Sequence, residues 1–291
     1  MLTQMLDRER GTLRKRLGSP TFVDHVTMGG RSTVLTITQN VIIILSSVAL
    51  AVAFLVFLRT VWDPLDRCEH NSVIGWHLGV LGTTYAVIIA FMLSGVWANF
   101  QSAQTNVAVE ANSLVNLFRV AAGLPATQRR EIQTLSRDYA NIMITEEWPA
   151  MHRKSLSPTG FRVTEQLWES LLRTDAHTLV EQTSLNQALT ALARMNEHRR
   201  IRQLQSRSQL PVILWVILIA GAVITVGTLC LFGTTNQKLH VAQVITVSFM
   251  VALVLAAIAD VDQPFQGSVQ VRPDGFDFAR TTFDRLMPAR R

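Results

Sequence analysis

The sequence predicts an all-α membrane protein in which four transmembrane helices, arranged in two pairs, flank a helical cytoplasmic domain. The first observation is a set of four long apolar runs, because a helix needs about 20 apolar residues to cross a bilayer core of about 30 Å. The second is a polar block between the two pairs that contains no such run. The third is a helical period that continues beyond the second run. The runs cover residues 41–58, 74–96, 210–232 and 239–259.

The distribution of basic residues predicts the orientation of the chain. The net charge is +6, and 24 of the 27 Lys and Arg residues lie before the first span, in the polar block or after the last span. Segments on the cytoplasmic side of a membrane carry this excess of positive charge. We therefore expect a multi-pass membrane protein with both termini and the central block in the cytoplasm. The lipid bilayer is the expected partner of the apolar runs, and no nucleic acid is expected.

These runs and charges divide the chain into five segments. A basic cytoplasmic tail comes first, a cytoplasmic C-terminal tail comes last, and two transmembrane helix pairs enclose the central helical domain. The predicted boundaries are residues 1–33, 34–97, 98–207, 208–259 and 260–291.

The second span is predicted to continue as one long cytoplasmic helix. Trp76 and Trp97 lie at the two ends of its apolar run, where aromatic side chains meet the membrane interfaces. Beyond Trp97, apolar residues recur at spacings of three and four, without Pro or Gly, until residues 123–125. The pattern predicts a helix of about 50 residues and about 75 Å. Three glycines in the span are predicted to allow close approach of another helix: Gly75, Gly79 and Gly82.

The central block is predicted to contain three or four helices. Thr127 follows a Gly-Leu-Pro break and can cap a helix that ends near Trp148 and Pro149. Further helix follows a polar turn, and a basic run over residues 198–207 precedes the third span. A last short helix is expected from Phe276 to Leu286.

The sequence contains no group of residues with the spacing of a catalytic or metal-binding motif. The histidines lack the i, i+4 pair of a helical zinc site, and phosphate-binding loops and nucleophile elbows are absent. We therefore expect no enzyme activity, no metal site and no cofactor. Cys68 and Cys230 are both predicted near the outer surface, where they form either a disulfide or two unpaired thiols.

Several ionisable residues lie in or beside the apolar segments. His77 is inside the second span and is either a functional group or a hydrogen-bond partner of a headgroup or water. Asp260 and Asp262 close the fourth span, where they either contribute to a cation site or end the span and pair with arginine. Glu110 lies on the packed side of the long helix, so we expect a buried carboxylate with a partner from the arginine-rich run.

Five motifs share an order and spacing that is familiar from one family. They are Val107-Ala108-Val109-Glu110-Ala111-Asn112-Ser113-Leu114, Leu124-Pro125, Tyr139, Glu146-Glu147-Trp148-Pro149 and Asp262-Gln263-Pro264-Phe265-Gln266-Gly267. Together they resemble the bestrophin-like domain family of bacterial membrane proteins over residues 35–275. The resemblance implies structural importance for seven motif positions: Glu110, Glu147, Trp148, Asp262, Pro264, Phe265 and Gly267.

That family is distantly similar to the bestrophins, which are pentameric anion channels. The resemblance implies a homo-oligomer, with a pentamer as the candidate assembly, that conducts small inorganic anions through a pore lined by the second span. A narrow apolar ring there can gate by dewetting. The acidic run that binds calcium in bestrophins is missing from residues 268–272, which argues against calcium gating. The candidate pore residues are Thr84, Ile88, Phe91, Met92 and Val96, with Val87 beside them.

The alternative is a non-conducting membrane scaffold or signalling protein whose cytoplasmic helical domain binds a partner. Its distinguishing sign is a second span that is buried among the other spans of its own chain. The apolar residues of the candidate pore row also suit ordinary packing.

Overall fold

The computed structural model describes residues 37–153, 155 and 157–286. The chain divides into a unit of residues 1–34 and a unit of residues 35–291, so the predicted N-terminal tail of residues 1–33 lies outside the described residues. Four described helices are long and apolar enough to cross a membrane, which confirms the predicted spans. They are α1 (Ile37–Val61), α3 (Asn71–Val120), α8 (Val212–Cys230) and α9 (Gln237–Val261).

The four spans pack through α1 against α9 and through α8 against α3. Gly221 of α8 packs closely on α3, because a Cβ atom there would collide with the ring of Tyr85. The hydroxyl of Tyr85 donates to the carbonyl oxygen of Leu218 at 2.8 Å. At Gly79 and Gly82, nothing in the same chain lies within 4 Å of a Cβ built there, so no helix of the same chain makes the predicted close approach. The chain thus uses a glycine of the third span for close packing.

The second span and its extension form one helix of 50 residues, as predicted. Helix α3 passes into a short 3-10 turn, Ala121–Gly123, and the chain then leaves it through Leu124 and Pro125. The half of α3 nearest to this turn packs along helix α7 (Leu179–Gln205). One continuous element therefore connects the spans to the remaining helices.

The helices outside the spans form a helical domain around this half of α3, and the described part of the chain contains no strand. Helix α7 lies along α3. The C-terminal helix packs on α3 and on α4 (Ala126–Ile142), and α4 packs on α6 (Pro158–Leu172). The last helix confirms the predicted segment from Phe276 to Leu286. The other helices of this domain are α4 (Ala126–Ile142), α5 (Trp148–His152), α6 (Pro158–Leu172) and α10 (Asp274–Leu286).

Two predicted helix ends in this domain are wrong. Thr127 lies inside α4, because the helix begins at Ala126 with Pro125 as its N-terminal cap residue. The helical path also does not end at Trp148 and Pro149. It continues from α4 through a π-helical turn, Met143–Glu147, into α5. A proline inside an α-helix lacks one hydrogen bond and crowds the preceding turn. The wider π turn just before Pro149 accommodates it without a break.

Each span has one end near the helical domain and one end away from it. We call the ends away from the domain the remote end. A five-residue helix, α2 (Pro64–Cys68), joins α1 to α3 at this end. Asn71 clamps the turn between α8 and α9, because its side chain donates to the carbonyl oxygen of Gly233 at 2.8 Å and accepts from the amide of Gly233 at 2.9 Å.

Candidate functional site

One face of the second span is open in the single chain. Val87 is 50% exposed, Phe91 is 74% exposed, and Thr84 is exposed beside them. Spacings of three and four residues place these side chains above one another on a helix. They form a continuous stripe along α3, which we call the open face.

The opposite face of the span packs within the chain. Ile88 and Met92 are partly buried against the main core, and Val96 is part of that core with 4% exposure. The side chain of Val96 is therefore enclosed by its own protomer, unlike those of Thr84 and Phe91. The structure separates the five candidate residues into an open pair, Thr84 and Phe91, and a packed set of three.

The second span is the least buried of the four. Only 11% of its most apolar stretch is buried, compared with 17% in each of the other three spans. His77 is exposed near the remote end of the same helix. The span is thus not enclosed by its own chain, which is the opposite of what the scaffold alternative predicts.

The domain half of α3 is held by a fully buried ion pair. Arg202 of α7 donates from Nε to Oε2 of Glu110 at 2.7 Å and from Nη2 to Oε1 at 3.0 Å, and both side chains are 0% exposed. This paired geometry matches a planar guanidinium to a carboxylate. It confirms that the arginine-rich run supplies the partner of Glu110.

A second buried carboxylate extends this pair into a network. Glu147, from the π turn, lies 3.4 Å from Nη2 of Arg199 and 3.8 Å from Nη1 of Arg202. Gln203 donates to its Oε1 at 3.2 Å. Two carboxylates and two guanidinium groups balance in charge. Gly160 makes room for them, because a Cβ there would lie 2.6 Å from Nη2 of Arg199.

Tyr139 completes the network with a neutral hydroxyl. It donates to Oε1 of Glu110 at 2.6 Å, and burial, followed by the charge of Glu110, raises its pKa well above 10. Burial lowers the pKa of Arg202, but the charge and hydrogen bonds of Glu110 outweigh it and raise that pKa. Both groups therefore keep their protons at neutral pH, and the network ties α3, α4, the π turn and α7 together.

The turn after the fourth span packs against the same network. The indole Nε1 of Trp148 donates to the carbonyl oxygen of Val271 at 3.0 Å, and Phe265 meets the Trp148 ring edge-on. The amide of Val271 donates to the carbonyl oxygen of Pro264 at 2.7 Å. The structure thus brings together Trp148 and Phe265, which belong to two motifs more than a hundred positions apart in sequence.

The two aspartates at the end of the fourth span bind backbone amides. Asp260 accepts from the amides of Ser268 and Val269 at 2.9 and 3.1 Å, and Asp262 accepts from the amide of Leu210 at 3.0 Å. Gly267 has φ +84°, and a Cβ there would lie 2.6 Å from Oδ1 of Asp260. In the described ranges, no three His, Cys, Asp or Glu residues group as metal ligands. The sequence left a cation site and pairing with arginine open. In the structure, Asp260 binds the turn after the fourth span, and Asp262 binds the backbone just before the third span.

Both cysteines are free thiols in the structure. Cys68 is partly exposed in α2, whereas Cys230 is buried at the end of α8. The sequence left a disulfide and two unpaired thiols open, and the structure has the second arrangement.

Three arginines that are buried in the structure are not singled out by the sequence. Arg199 and Arg202 are two of several arginines in one run, and no pattern in that run shows which of them are buried. Arg67 lies among charged residues in a short connection, yet it is 0% exposed. The only available signal is the i, i+3 spacing of Arg199 and Arg202, which places both on one helix face.

The family model of the bestrophin-like domain matches residues 45–276. A single-residue variant of a bacterial bestrophin homologue from Klebsiella pneumoniae has a TM-score of 0.56 at 14% identity, over 84% of this chain and 98% of that one. Another crystal structure of a Klebsiella pneumoniae bestrophin homologue has a TM-score of 0.52 at 15% identity, over 83% and 96%. Among curated proteins, none matches the sequence. The similarity to these structures shows a common fold.

Proposed function

Because the chain belongs to the bestrophin-like domain family, we propose that it assembles as a homo-oligomeric channel that conducts small anions. The open face of α3, with Thr84, Val87 and Phe91, lines the pore around the axis of the assembly. Both termini and the helical domain lie in the cytoplasm of a bacterium, and the spans cross its inner membrane. Five subunits are the proposed number, since bestrophins are pentamers.

One observation carries this proposal: the second span belongs to one 50-residue helix that continues into the helical domain, and it carries the exposed stripe of the open face. A span that continues as a rigid helix into a buried charge network has a fixed direction. Its open face therefore needs a partner other than the packed core of its own chain. Gly79, which has no neighbour within 4 Å, lies on the exposed surface near the remote end and allows another copy to come close.

Phe91 is the proposed constriction of this pore. Its side chain is 74% exposed, and several copies around an axis would form a ring of aromatic groups. A narrow apolar ring holds water poorly, so its width controls whether ions pass. The open face between Thr84 and Phe91 carries no carboxylate, which suits an anion pathway.

Chloride flux from liposomes tests this proposal. Purified chain in vesicles of bacterial lipid should release chloride, and Phe91→Ala should raise the rate severalfold because the constriction widens. Phe249→Ala is the matched control, since Phe249 is 43% exposed on α9, another span, and should face lipid. Equal chloride release rates for Phe91→Ala and Phe249→Ala would contradict the proposal that the open face lines the pore.

The alternative function is a scaffold or signalling protein whose cytoplasmic domain binds a partner. A groove of about 560 Å³ between α3 and α7 is the surface of the helical domain where such a partner would be sought. Asn116, Asn186 and Arg194 are among its lining residues. Vesicles that stay tight while the oligomer is intact and correctly oriented would support this function against the channel.

A further inference from the structure

Two arginines and a histidine form a cluster at the remote end of the spans. Arg59 is in the last turn of α1, Arg67 is in α2, and His240 is in the first turn of α9. Arg67 is 0% exposed and His240 is 1% exposed. Nη2 of Arg59 lies 3.4 Å from Nδ1 of His240. Two of the three side chains of this remote-end cluster are therefore enclosed, and Arg59 is partly buried beside them.

The histidine of the cluster is neutral. Its Nε2 lies 3.2 Å from the carbonyl oxygen of Leu229, and a carbonyl oxygen only accepts, so Nε2 carries the proton. Nδ1 then has a free lone pair and accepts from Arg59. The remote-end cluster thus contains two guanidinium charges and none from the imidazole.

Arg67 uses only one edge of its guanidinium group. Nη1 donates to the carbonyl oxygen of Cys230, in the last turn of α8, at 3.1 Å. Nε and Nη2 are buried and have no hydrogen-bond partner among the described residues. These two N–H groups point side by side from one edge of the guanidinium, the geometry with which arginine binds anions. The buried Nε of Arg59 also has no partner in the described segments.

No carboxylate neutralises these charges within the part of the chain that the structure describes. The ion pairs found there include neither Arg59 nor Arg67. Asp63 acts on Arg67 only at longer range, and its carboxylate accepts from the amide of Leu65 at 2.9 Å. Burial, followed by the charge of Arg59, lowers the pKa of Arg67. A buried charge without a counter-charge is costly, so an anion at this position would stabilise the fold.

We propose that the side-on edge of Arg67, with the charge of Arg59, binds one chloride-sized anion. A single atom can accept both N–H groups in a small space, whereas a lipid phosphate cannot reach a side chain that has no exposed surface. The ion would connect α2 to the end of α8. Asn71 lies beside the cluster, and Thr84 of the open face lies about 20 Å further along α3. The anion site is therefore separate from the open face. Its existence does not depend on whether the chain conducts ions.

Thermal unfolding in detergent, followed by tryptophan fluorescence, tests the site with the full chain. Sodium chloride replaces sodium gluconate at constant ionic strength, and saturating chloride should raise the Tm by about 5 °C. Arg67→Gln should lose this shift, because its amide can still cap Cys230 but has no charge. Arg200→Gln is the matched control, since Arg200 is exposed on α7, and it should keep the shift.

Two further measurements cover the case in which Arg67→Gln does not fold. Arg59→Gln leaves the side-on edge intact and should weaken the chloride dependence about tenfold, because one of two charges is lost. Crystals grown in bromide should show an anomalous peak beside Nε and Nη2 of Arg67. The proposal is overturned if chloride leaves the wild-type Tm unchanged, if Arg67→Gln keeps the shift, or if phosphatidylglycerol stabilises the chain where chloride does not.

Discussion

Nε of Arg202 lies 2.7 Å from Oε2 of Glu110, and neither side chain has any exposed surface. The pair joins α7 to the helix that forms the second span, so it holds the domain half of that helix inside the helical domain. Each residue depends on the other for its charge balance.

Glu110→Gln should lower the free energy of unfolding by about 3–5 kcal/mol, because it leaves Arg202 as a buried cation without a full counter-charge. Chemical denaturation in detergent, followed by circular dichroism, measures the change. Glu131→Gln is the matched control, since Glu131 pairs with Arg173 on an exposed surface and should change the free energy by less than about 1 kcal/mol. Equal losses in the two variants would contradict the structural role of the buried pair.

Tyr139→Phe should change how stability depends on alkaline pH. The pKa of Tyr139 is raised well above 10 in the folded chain, so the folded state holds this proton after the unfolded state has released it. The unfolded state then binds fewer protons, and the free energy of unfolding falls by up to about 1.4 kcal/mol per pH unit above about pH 10.

The stabilisation that Tyr139 contributes through its raised pKa is fully present below pH 10, and it disappears as the pH rises through the pKa of the folded state. The difference between wild type and Tyr139→Phe should therefore shrink above pH 10. Denaturation at pH 8 and pH 11 measures it, and a constant difference would show that Tyr139 ionises normally in the folded chain.

Gly267→Ala should destabilise the turn after the fourth span by about 1–3 kcal/mol, because a φ of +84° is strained for any residue with a Cβ. The new methyl group would also press on Asp260. Gly227→Ala in α8 is the control, since nothing lies within 4 Å of a Cβ at that position. Thermal unfolding of both variants compares the two sites, and a lower Tm for Gly227→Ala than for Gly267→Ala would contradict the assignment.

Trp148→Phe should lower the free energy of unfolding by about 1–3 kcal/mol, because the carbonyl oxygen of Val271 loses its indole donor inside the domain. The ring contacts with Phe265 and Phe276 can persist, so the loss reports mainly the hydrogen bond. Trp97→Phe is the control, since Trp97 is 48% exposed. Limited proteolysis near residue 271 should accelerate only in Trp148→Phe, and unchanged cleavage would show that this bond does not hold the turn.

Part of the candidate site could be predicted and part could not. The burial of Glu110 and the origin of its partner in one basic run follow from helical periodicity and from the cost of an unpaired buried charge. The identity of that partner does not follow, because Arg199, Arg200 and Arg202 are chemically the same in sequence. Their burial differs only because α7 turns one side toward α3.

The candidate pore residues also show what sequence alone cannot predict. Thr84, Ile88, Met92 and Val96 are spaced by four residues and suggest a single stripe. The structure places Val96 in the core and leaves Thr84 exposed, because α8 and the helical domain cover different stretches of one long helix. Spacing predicts which residues share a face, and only the neighbouring helices decide where that face becomes buried.

The sequence by itself determined the four spans, the all-helical domain and the continuous second helix, because apolar length and helical period are local properties of the chain. Tertiary structure alone decided which arginines are buried, which stripe of α3 stays open and why Gly267 must be glycine. These features depend on groups that lie far apart in sequence, such as Glu110 and Arg202 or Trp148 and Val271. Their energies arise only when folding removes water from between them.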